Sequence, residues 1–329
     1  MGDSYSARGR CAWPSTLALT FLFGWAARPC SGQVAQEVLG PAIDSIEIMG
    51  LQDIAFDKTY GILVGDQLEG VWCISPDGTI DHLNAPGQGP GEFTRLNCVA
   101  WGRDGGILIG SRFNGRIVRY SNGLVFEDQF ALQGVSNLVV GPDRHIYAST
   151  IVDARGPIME FDSSGEFLRS LTAWRPSEDL VGVPQLKSAS EAILCWDDER
   201  NHLIAGYIQD ATFQVFSNGQ LVSTFRPDDP AVAAHDRVRT QALRKNPGQR
   251  LNIQVLTLTD FFMVDDGEGL FALIGGVPMV MSLDGHVLQR ASRPDPTYQA
   301  FFPGPSGTVI AQEKETWKLR LVRLDELLR

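Results

Sequence analysis

Apolar and polar residues alternate in short runs along most of the chain, and turn-forming residues separate these runs. One series of turns comprises ISPDGTI (74–80), YSNGLV (120–125), FDSSGEF (161–167), FSNGQLV (216–222) and SLDGHV (282–287). Aspartate or asparagine close to glycine, between apolar runs, is a strong short-range signal for a β-hairpin. The pattern therefore predicts short strands joined by hairpins.

A second series of turns lies upstream of the first, in segments such as RDGGILIG, PDRHIYAS and DGEGLFAL. The first apolar residues after these turns are Ile62, Ile107, Ile146, Leu203, Leu270 and Val309. They are 45, 39, 57, 67 and 39 residues apart. A four-stranded propeller blade takes roughly 40 to 50 residues. The spacing predicts six blades, with insertions in the two longer intervals.

Each repeat fits four strands, A to D, as in LNCVAWG, GILIGS, RIVRYS and LVFEDQFAL of the second unit. The last unit is one strand short, and the segment AIDSIEIMG (42–50) is a spare strand without a nearby hairpin partner. We expect this segment to close the ring as the outer strand of the sixth blade. The predicted fold is thus an all-β, six-bladed β-propeller closed by an N-terminal strand.

One stretch departs from the strand pattern. Residues 228–250 carry Asp228 and Asp229 as helix caps ahead of Pro230, apolar residues among charges, and the stop signal Asn246-Pro247-Gly248. These features predict a short helical insertion between blades four and five. Long insertions carry function more often than average, so this one is a candidate functional element.

The first residues are typical of a secretory signal peptide. Arg8 and Arg10 precede the apolar run STLALTFLFGWAA (15–27), which is followed by the small and polar residues CSGQ. The run has 13 residues, whereas a membrane-spanning helix needs roughly 20. We expect residues 1–33 to be removed and residues 34–329 to act in the periplasm or outside the cell, without an integral membrane segment. An uncleaved anchor is the alternative.

The charge of the mature chain argues against two classes of partner. The full chain has 39 acidic and 28 basic residues. Removal of Asp3 and of Arg8, Arg10 and Arg28 leaves 38 against 25, a formal net charge of −13. Binding to nucleic acid or to an anionic membrane depends on an excess of Lys and Arg. We therefore expect neither partner.

Three cysteines remain in the mature chain, Cys73, Cys98 and Cys195, all within apolar segments. An odd number without a CxxC pair does not indicate a disulfide framework. We interpret them as buried small apolar residues, with a disulfide between Cys73 and Cys98 as the alternative.

The repeat units and the linker GQGPGEF (87–93) together resemble exported bacterial six-bladed β-propellers related to NHL-repeat and TolB-like proteins. The resemblance covers roughly residues 43–329. It implies the fold more than a function, since most members of that family lack an assigned activity. The aspartate usual after strand B occurs here only as Asp66, so a regular network capping every blade is not expected.

The glycines of GQGPGEF raise the question of a phosphate-binding loop. Such a loop needs amide groups that converge at the N-terminus of a helix. The following segment, LNCVAWG, has the pattern of a strand. We interpret GQGPGEF as a structural linker from blade one to blade two, in which Glu92 is the one side chain with a possible further role.

A candidate binding site follows from the predicted topology, because D-to-A linkers and B-to-C loops share one face of a propeller. Six polar side chains near the ends of the B strands or in a linker should surround the mouth of the central channel there: Asp66, Glu92, Arg112, Thr150, Tyr207 and Glu313. Such a mixed ring suits a polar ligand or a cation. Solvated loop ends would give the same pattern.

No catalytic constellation is apparent. The five histidines, His82, His145, His202, His235 and His286, fall on different parts of the predicted fold, which argues against a three-histidine zinc site. There is no GxSxG motif for a serine hydrolase. We therefore predict no catalytic residue, no metal site and no cofactor.

The resulting functional hypothesis is a non-enzymatic propeller scaffold that binds a protein or a polar ligand. The alternative is an enzyme that resembles the calcium-dependent gluconolactonases, which are also six-bladed propellers. In that case Asp66 and Glu313 would be oxygen ligands of calcium at the channel mouth. The sequence identifies neither the ligand nor the partner.

Overall fold

Six antiparallel sheets form a ring, which confirms the predicted six-bladed β-propeller. The structure is a computed structural model. It describes residues 32–173, 191–230, 232–234, 237, 241, 258–264, 269–292, 297–305 and 307–329. Five sheets have four strands and the sixth has three, so the last blade is one strand short, as the repeat pattern predicts.

The strands of each blade follow one another from the channel outward. Blade 1 contains β1 (Leu51–Asp57), β2 (Gly61–Asp66), β3 (Gly70–Ile74) and β4 (Ile80–Leu83). Blade 2 contains β5 (Leu96–Trp101), β6 (Ile107–Ser111), β7 (Arg116–Tyr120) and β8 (Phe126–Ala131). Blade 3 contains β9 (Val135–Val140), β10 (Ile146–Thr150), β11 (Ile158–Phe161) and β12 (Phe167–Ser170).

The second half of the ring has the same plan. Blade 4 contains β13 (Ala192–Asp197), β14 (His202–Tyr207), β15 (Phe213–Ser217) and β16 (Gln220–Phe225). Blade 5 contains β17 (Leu258–Met263), β18 (Leu270–Ile274), β19 (Val277–Met281) and β20 (Val287–Arg290). Blade 6 contains β21 (Tyr298–Pro303), β22 (Thr308–Glu313) and β23 (Leu319–Arg323), followed by the short helix α2 (Leu324–Leu327).

The B strands are the most completely buried elements. The six apolar residues from which the repeat was derived, Ile62 to Val309, all lie in these strands and are at most 2% exposed. Branched apolar side chains such as these pack well on both faces of a sheet that lies between two others. Apolar clusters fill the spaces between neighbouring blades, and the cluster of Leu63, Val71, Leu96 and Ile109 joins blades 1 and 2.

The ring closes through its innermost strands. Each of β1, β5, β9, β13 and β17 packs against the inner strand of the next blade, and β21 packs against β1. Closure therefore depends on side chains packed between blades 6 and 1, not on a strand shared between the two ends of the chain.

The prediction of an N-terminal closing strand is wrong. Residues 42–45 of that segment are the last residues of helix α1 (Gly32–Ser45), and residues 46–50 form neither helix nor strand. The helix packs against β23 of blade 6 and β3 of blade 1. Leu39, Ala42 and Ile43 are buried, and their spacing of three and four residues is that of one helical face. The strand prediction followed the alternation of Ile46 and Ile48, which begins where the helix has ended. The predicted signal segment, residues 1–33, lies almost entirely outside the described residues.

The linker GQGPGEF has the structural role predicted for it. Strand β5 follows it, and the amide of Phe93 donates to the carbonyl of Ala85 at 2.9 Å. Arg116 of blade 2 donates to the carbonyls of Gln88 and Gly89 at 2.8 and 3.0 Å. Gly91 has φ +76°, and a Cβ there would lie 2.8 Å from the ring of Phe126. The linker is thus fixed to the blade that it enters.

The three cysteines described by the structure, Cys73, Cys98 and Cys195, are free and buried, so the alternative Cys73–Cys98 disulfide is not formed. Burial raises the pKa of the Cys73 thiol to about 12, with a smaller contribution from Asp81. Because a thiol must ionise to react, these cysteines are packing residues.

Between β16 and β17, Pro230, residues 232–234, Arg237 and Gln241 are helical. Val232 is buried among side chains of blades 4 and 5, and Asp229 pairs with Arg290 at 3.5 Å. The remainder of the insertion predicted for residues 228–250 lies outside the described residues. None of the helices in the described ranges has the length and apolar character of a membrane span.

Candidate functional site

The two faces of the ring differ in the chain segments that form them. We call the face formed by the B-to-C loops and D-to-A linkers the loop face, and the face formed by the A-to-B and C-to-D turns the turn face. The six predicted site residues, Asp66, Glu92, Arg112, Thr150, Tyr207 and Glu313, lie in or next to segments of the loop face. Their contacts decide whether they are available to a ligand.

Asp66, the last residue of β2, is fully buried and accepts four backbone hydrogen bonds. One carboxylate oxygen accepts from the amides of Met49 and Gly50 at 2.7 and 2.6 Å. The other accepts from the amides of Leu68 and Glu69 at 2.7 and 3.0 Å. The side chain therefore fixes the linker into blade 1 and the B-to-C loop of the same blade.

Thr150 and Tyr207 are also buried and hydrogen-bonded within the protein. The hydroxyl of Thr150 donates to the carbonyl of Gln133 at 2.6 Å, which ties β10 to the linker between blades 2 and 3. The hydroxyl of Tyr207 donates to the side chain of Gln214 at 2.6 Å. Neither hydroxyl is exposed to a ligand at the channel mouth.

Glu313 belongs to a network of charges that joins blade 6 to helix α1. Its carboxylate accepts hydrogen bonds from Thr316 and from Nε of Arg320, the latter at 3.1 Å. Arg320 also pairs with Asp44 of α1 at 2.7 Å. The hydrogen bond from Thr316, followed by that from Arg320, lowers the pKa of Glu313 below its usual value.

Glu92 and Arg112 complete the predicted set. The carboxylate of Glu92 folds back and accepts from the amide of Gly89 at 2.7 Å. Burial raises the pKa of Glu191 at the start of blade 4, and Arg112 of blade 2 partly offsets the increase. Five of the six side chains are thus hydrogen-bonded within the protein, and the structure does not bring the six together as one open site.

The loop face instead exposes large apolar side chains. Those at least half exposed in this region are Met49 (58%), Leu68 (62%), Phe113 (65%), Val152 (50%) and Trp317 (56%). Four of them occupy B-to-C loops of the consecutive blades 6, 1, 2 and 3, and Met49 lies in the segment between helix α1 and β1. We call these five residues the apolar arc. Among the described residues of the turn face, the A-to-B turns expose no large apolar side chain to this extent, and the C-to-D turns expose Val125 at 65%.

The sequence carried a signal for this arc. In blades 1, 2 and 3 the exposed residue stands two positions after the last residue of strand B, as Leu68, Phe113 and Val152. An apolar residue repeated in a solvent loop has no packing explanation. The predicted site contained the polar residues of the same loops and did not include these apolar ones.

On the turn face, Asp143, His145 and Glu160 approach one another. Nδ1 of His145 lies 2.8 Å from Glu160 and 3.2 Å from Asp143. Nε of Arg169 donates to Glu160 at 2.6 Å. Burial raises the pKa of Glu160, but the hydrogen bonds from Arg169 and His145 outweigh burial and lower it overall. A guanidinium at this carboxylate opposes a cation, so the group is an ion-pair network that holds blade 3 together.

The central channel widens into a cavity of about 520 Å³ that reaches from the middle of the inner strands to the A-to-B turns. We call it the central cavity. Asp53, Asn137 and Asp260 lie at its inner end, which is the end farther from the A-to-B turns. They occupy equivalent positions of blades 1, 3 and 5. The predicted site did not include these three residues, although LQD, VSN and LTD each place Asp or Asn third in an inner strand.

Each of these three side chains joins neighbouring inner strands. Asp53 accepts from the amide of Val99 at 3.0 Å, and Asn137 accepts from the amide of Leu194 at 2.9 Å. Asp260 accepts from the amide of Phe301 in the same way. The inner edge of a propeller sheet has amides without a strand partner, and these side chains satisfy three of them.

Burial changes the protonation of the two acids. It raises the pKa of Asp53 from 3.8 to about 7, although the amides of Val99 and Ile54 act in the opposite direction. Burial, and then the charge of Asp53, raise the pKa of Asp260 well above its usual value. The charge of Asp53 therefore acts on Asp260 within the lining of one cavity.

Comparison with known proteins supports the fold and leaves the function open. No family model matches the chain, and no curated protein matches its sequence. Among solved structures, virginiamycin B lyase from Staphylococcus aureus is 12% identical with a TM-score of 0.52, over 83% of this chain and 84% of that one.

Two further structures have the same architecture. A streptogramin B lyase is 14% identical with a TM-score of 0.55, over 85% of each chain. A gluconolactonase from Xanthomonas campestris is 15% identical with a TM-score of 0.53, over 84% of this chain and 86% of that one. At these identities the likeness shows the fold alone. The chain is a six-bladed β-propeller whose architecture is shared with lyases and with a lactonase.

Proposed function

We propose that this protein is a non-enzymatic scaffold that binds a partner protein through its loop face, and that it does so after export. The observation that carries the proposal is the apolar arc. Soluble monomeric proteins rarely expose large contiguous apolar patches without a binding role. Here four of the five residues recur at the B-to-C loops of four consecutive blades, and Met49 lies in the segment that leads into the first strand of blade 1.

The chemistry of the arc suits a protein partner better than a small polar ligand. Phe113 and Trp317 are aromatic, and aromatic side chains supply a large share of the binding energy in protein interfaces. The guanidinium of Arg95 lies over the ring of Phe113, 5.0 Å from its centre. An arginine stacked on an exposed aromatic ring combines two residue types that are enriched in interfaces. We infer a partner that presents apolar side chains with an acidic group close by.

The polar residues of the loop face have a supporting role in this proposal. Asp66, Thr150 and Glu313 hold the B-to-C loops in place through the bonds described above. A rigid loop loses little conformational freedom on binding, which favours affinity. The scaffold, so described, needs no cofactor.

Paired substitutions test the proposal. We expect the variant Phe113→Ser with Trp317→Ser to capture its partner from an extract of the source organism at least about tenfold less well than wild type. The matched control is Leu221→Ser with Val222→Ser, because these residues are similarly exposed, at 51% and 54%, but lie on the outer strand β16. Quantitative mass spectrometry of the captured proteins gives the result. Equal capture by the two variants would overturn the proposal.

The calcium-dependent lactonase alternative makes a different prediction. Both oxygens of Asp66 are engaged by backbone amides, and Glu313 is engaged by Arg320 and Thr316. We therefore expect calorimetric titration of the chelator-treated protein with calcium to show no stoichiometric binding. Stoichiometric binding that is lost in Glu313→Gln would favour the lactonase, and sugar lactones would then be the first substrates to measure.

A further inference from the structure

The central cavity has the size of a small-molecule site and is independent of the loop face. Its volume of about 520 Å³ lies within the range of roughly 300 to 1,000 Å³ that is usual for ligand pockets. It extends to the A-to-B turns, so it belongs to the opposite side of the ring from the apolar arc.

The structural role of Asp53 and Asp260 does not require their charge. Asn137, at the equivalent position of blade 3, makes the same bond to the next blade with a neutral amide oxygen, at 2.9 Å against 3.0 Å for Asp53. An asparagine at all three positions would therefore hold the strands. Two half-buried acids at one end of a cavity carry a desolvation cost that the strand contact does not explain.

Aromatic side chains line the cavity between its inner end and the A-to-B turns. They come from five blades and are Phe56, Tyr60, Trp101, Trp196, Phe262 and Phe302. Tyr60 and Trp101 lie against each other, with ring centres 5.6 Å apart. Aromatic faces attract organic cations and pack against apolar groups.

Near the A-to-B turns the lining is also acidic. Asp57, Asp197, Asp198 and Glu199 face two basic residues, Lys58 and Arg103. Arg103 is already paired with Asp198 at 2.6 Å, and Asp197 is paired with Arg200 at 3.1 Å, which leaves Asp57 and Glu199 against Lys58. The excess of carboxylates at both ends favours a positively charged ligand over an anion.

We propose that the central cavity binds a small organic cation, a protonated amine with an apolar body, whose ammonium group lies between Asp53 and Asp260. The ammonium group compensates the two half-buried carboxylates, and the aromatic walls contact the body of the ligand. This site is separate from the proposed protein-binding face, so either proposal can fail without the other.

The test uses pairs of probes that differ only in charge. Phenethylamine, tryptamine and benzylamine are titrated calorimetrically against the purified protein, with 2-phenylethanol, tryptophol and benzyl alcohol as uncharged counterparts. We expect at least one amine to bind one to one and to bind at least about tenfold more tightly than its alcohol.

Variants locate the site. In Asp53→Asn with Asp260→Asn, amine affinity should fall at least about tenfold, because the acceptor oxygens remain and the charges do not. The control, Asp81→Asn with Glu127→Gln, removes the same charge from exposed positions on the outer strands β4 and β8 and should bind as wild type does. Circular dichroism checks that each variant folds. If the double variant does not fold, the single variants Asp53→Asn and Asp260→Asn replace it.

Three outcomes would overturn the inference. The first is that no amine binds at millimolar concentration. The second is that an alcohol binds as tightly as its amine, which would leave the carboxylates without a role. The third is unchanged amine affinity in the variant lacking both acids, which would place the binding site outside the cavity.

Discussion

Replacing Asp66 with alanine is expected to lower the free energy of unfolding by about 4 kcal/mol or more. The substitution leaves four amides in partly buried hydrogen bonds, those of Met49, Gly50, Leu68 and Glu69, without their acceptor. Each unsatisfied buried donor costs roughly 1 to 3 kcal/mol, and some of the four will find water when the loop relaxes. Urea unfolding followed by tryptophan fluorescence measures the loss.

Two comparisons sharpen this result. Asp66→Asn keeps one acceptor oxygen and should lose about half as much stability. Asp81→Ala removes an exposed carboxylate from β4 and should change stability by no more than about 0.5 kcal/mol. A loss below about 1 kcal/mol for Asp66→Ala would show that the loop does not depend on this carboxylate.

Replacing both Asp53 and Asp260 with asparagine is expected to stabilise the protein at pH 8, by about 3 kcal/mol or more. The pKa of Asp53 rises from 3.8 to about 7 on folding, and that of Asp260 rises too. Between about pH 4 and pH 7 the native state retains protons that the unfolded chain has released. Wild-type stability therefore falls as the pH rises through this window. Asparagine cannot ionise, so the variant should lack this loss.

The measurement is the free energy of unfolding of wild type and variant at steps between pH 4 and pH 8. The difference between them isolates the two acids from other titrating groups, and Cys98, the thiol nearest to Asp53, stays neutral throughout because its pKa is raised. Asn137→Asp is the converse variant, which should be destabilised at pH 8 and not at pH 4. A constant difference across the whole range would mean that neither acid is buried in its charged form.

Blade number and strand positions could be predicted because both depend on local patterns. Ile62 and Val309 mark the first and last B strands in the sequence, and both are fully enclosed in the structure. A turn that contains Asp or Asn with Gly fixes a hairpin wherever it occurs, and the period of the hairpins fixes the number of blades. No long-range information was needed.

The helical structure of the segment before β1 and the approach of Asp53 to Asp260 could not be predicted, because both depend on contacts between residues far apart in the sequence. Helix α1 is stable only because its apolar face packs against β23, which lies near the other end of the chain. Asp53 is far from Asp260 in sequence and approaches it only when the ring is complete. For Glu313 and Asp66, the sequence identified polar residues at the correct loops but not the backbone amides and the arginine that they bind.

The position of helix α1 has a consequence for the order of assembly. All six blades form from strands that are consecutive in the chain, so every sheet can assemble soon after it is synthesised. Leu39 and Ile43 share an apolar cluster with Ile62 and Ile74 of blade 1 and with Ile310 and Leu321 of blade 6. The helix is made before any of them and can dock only after the last has formed. Its docking is therefore the late, non-local step of folding, and it joins the first and last blades once both are in place.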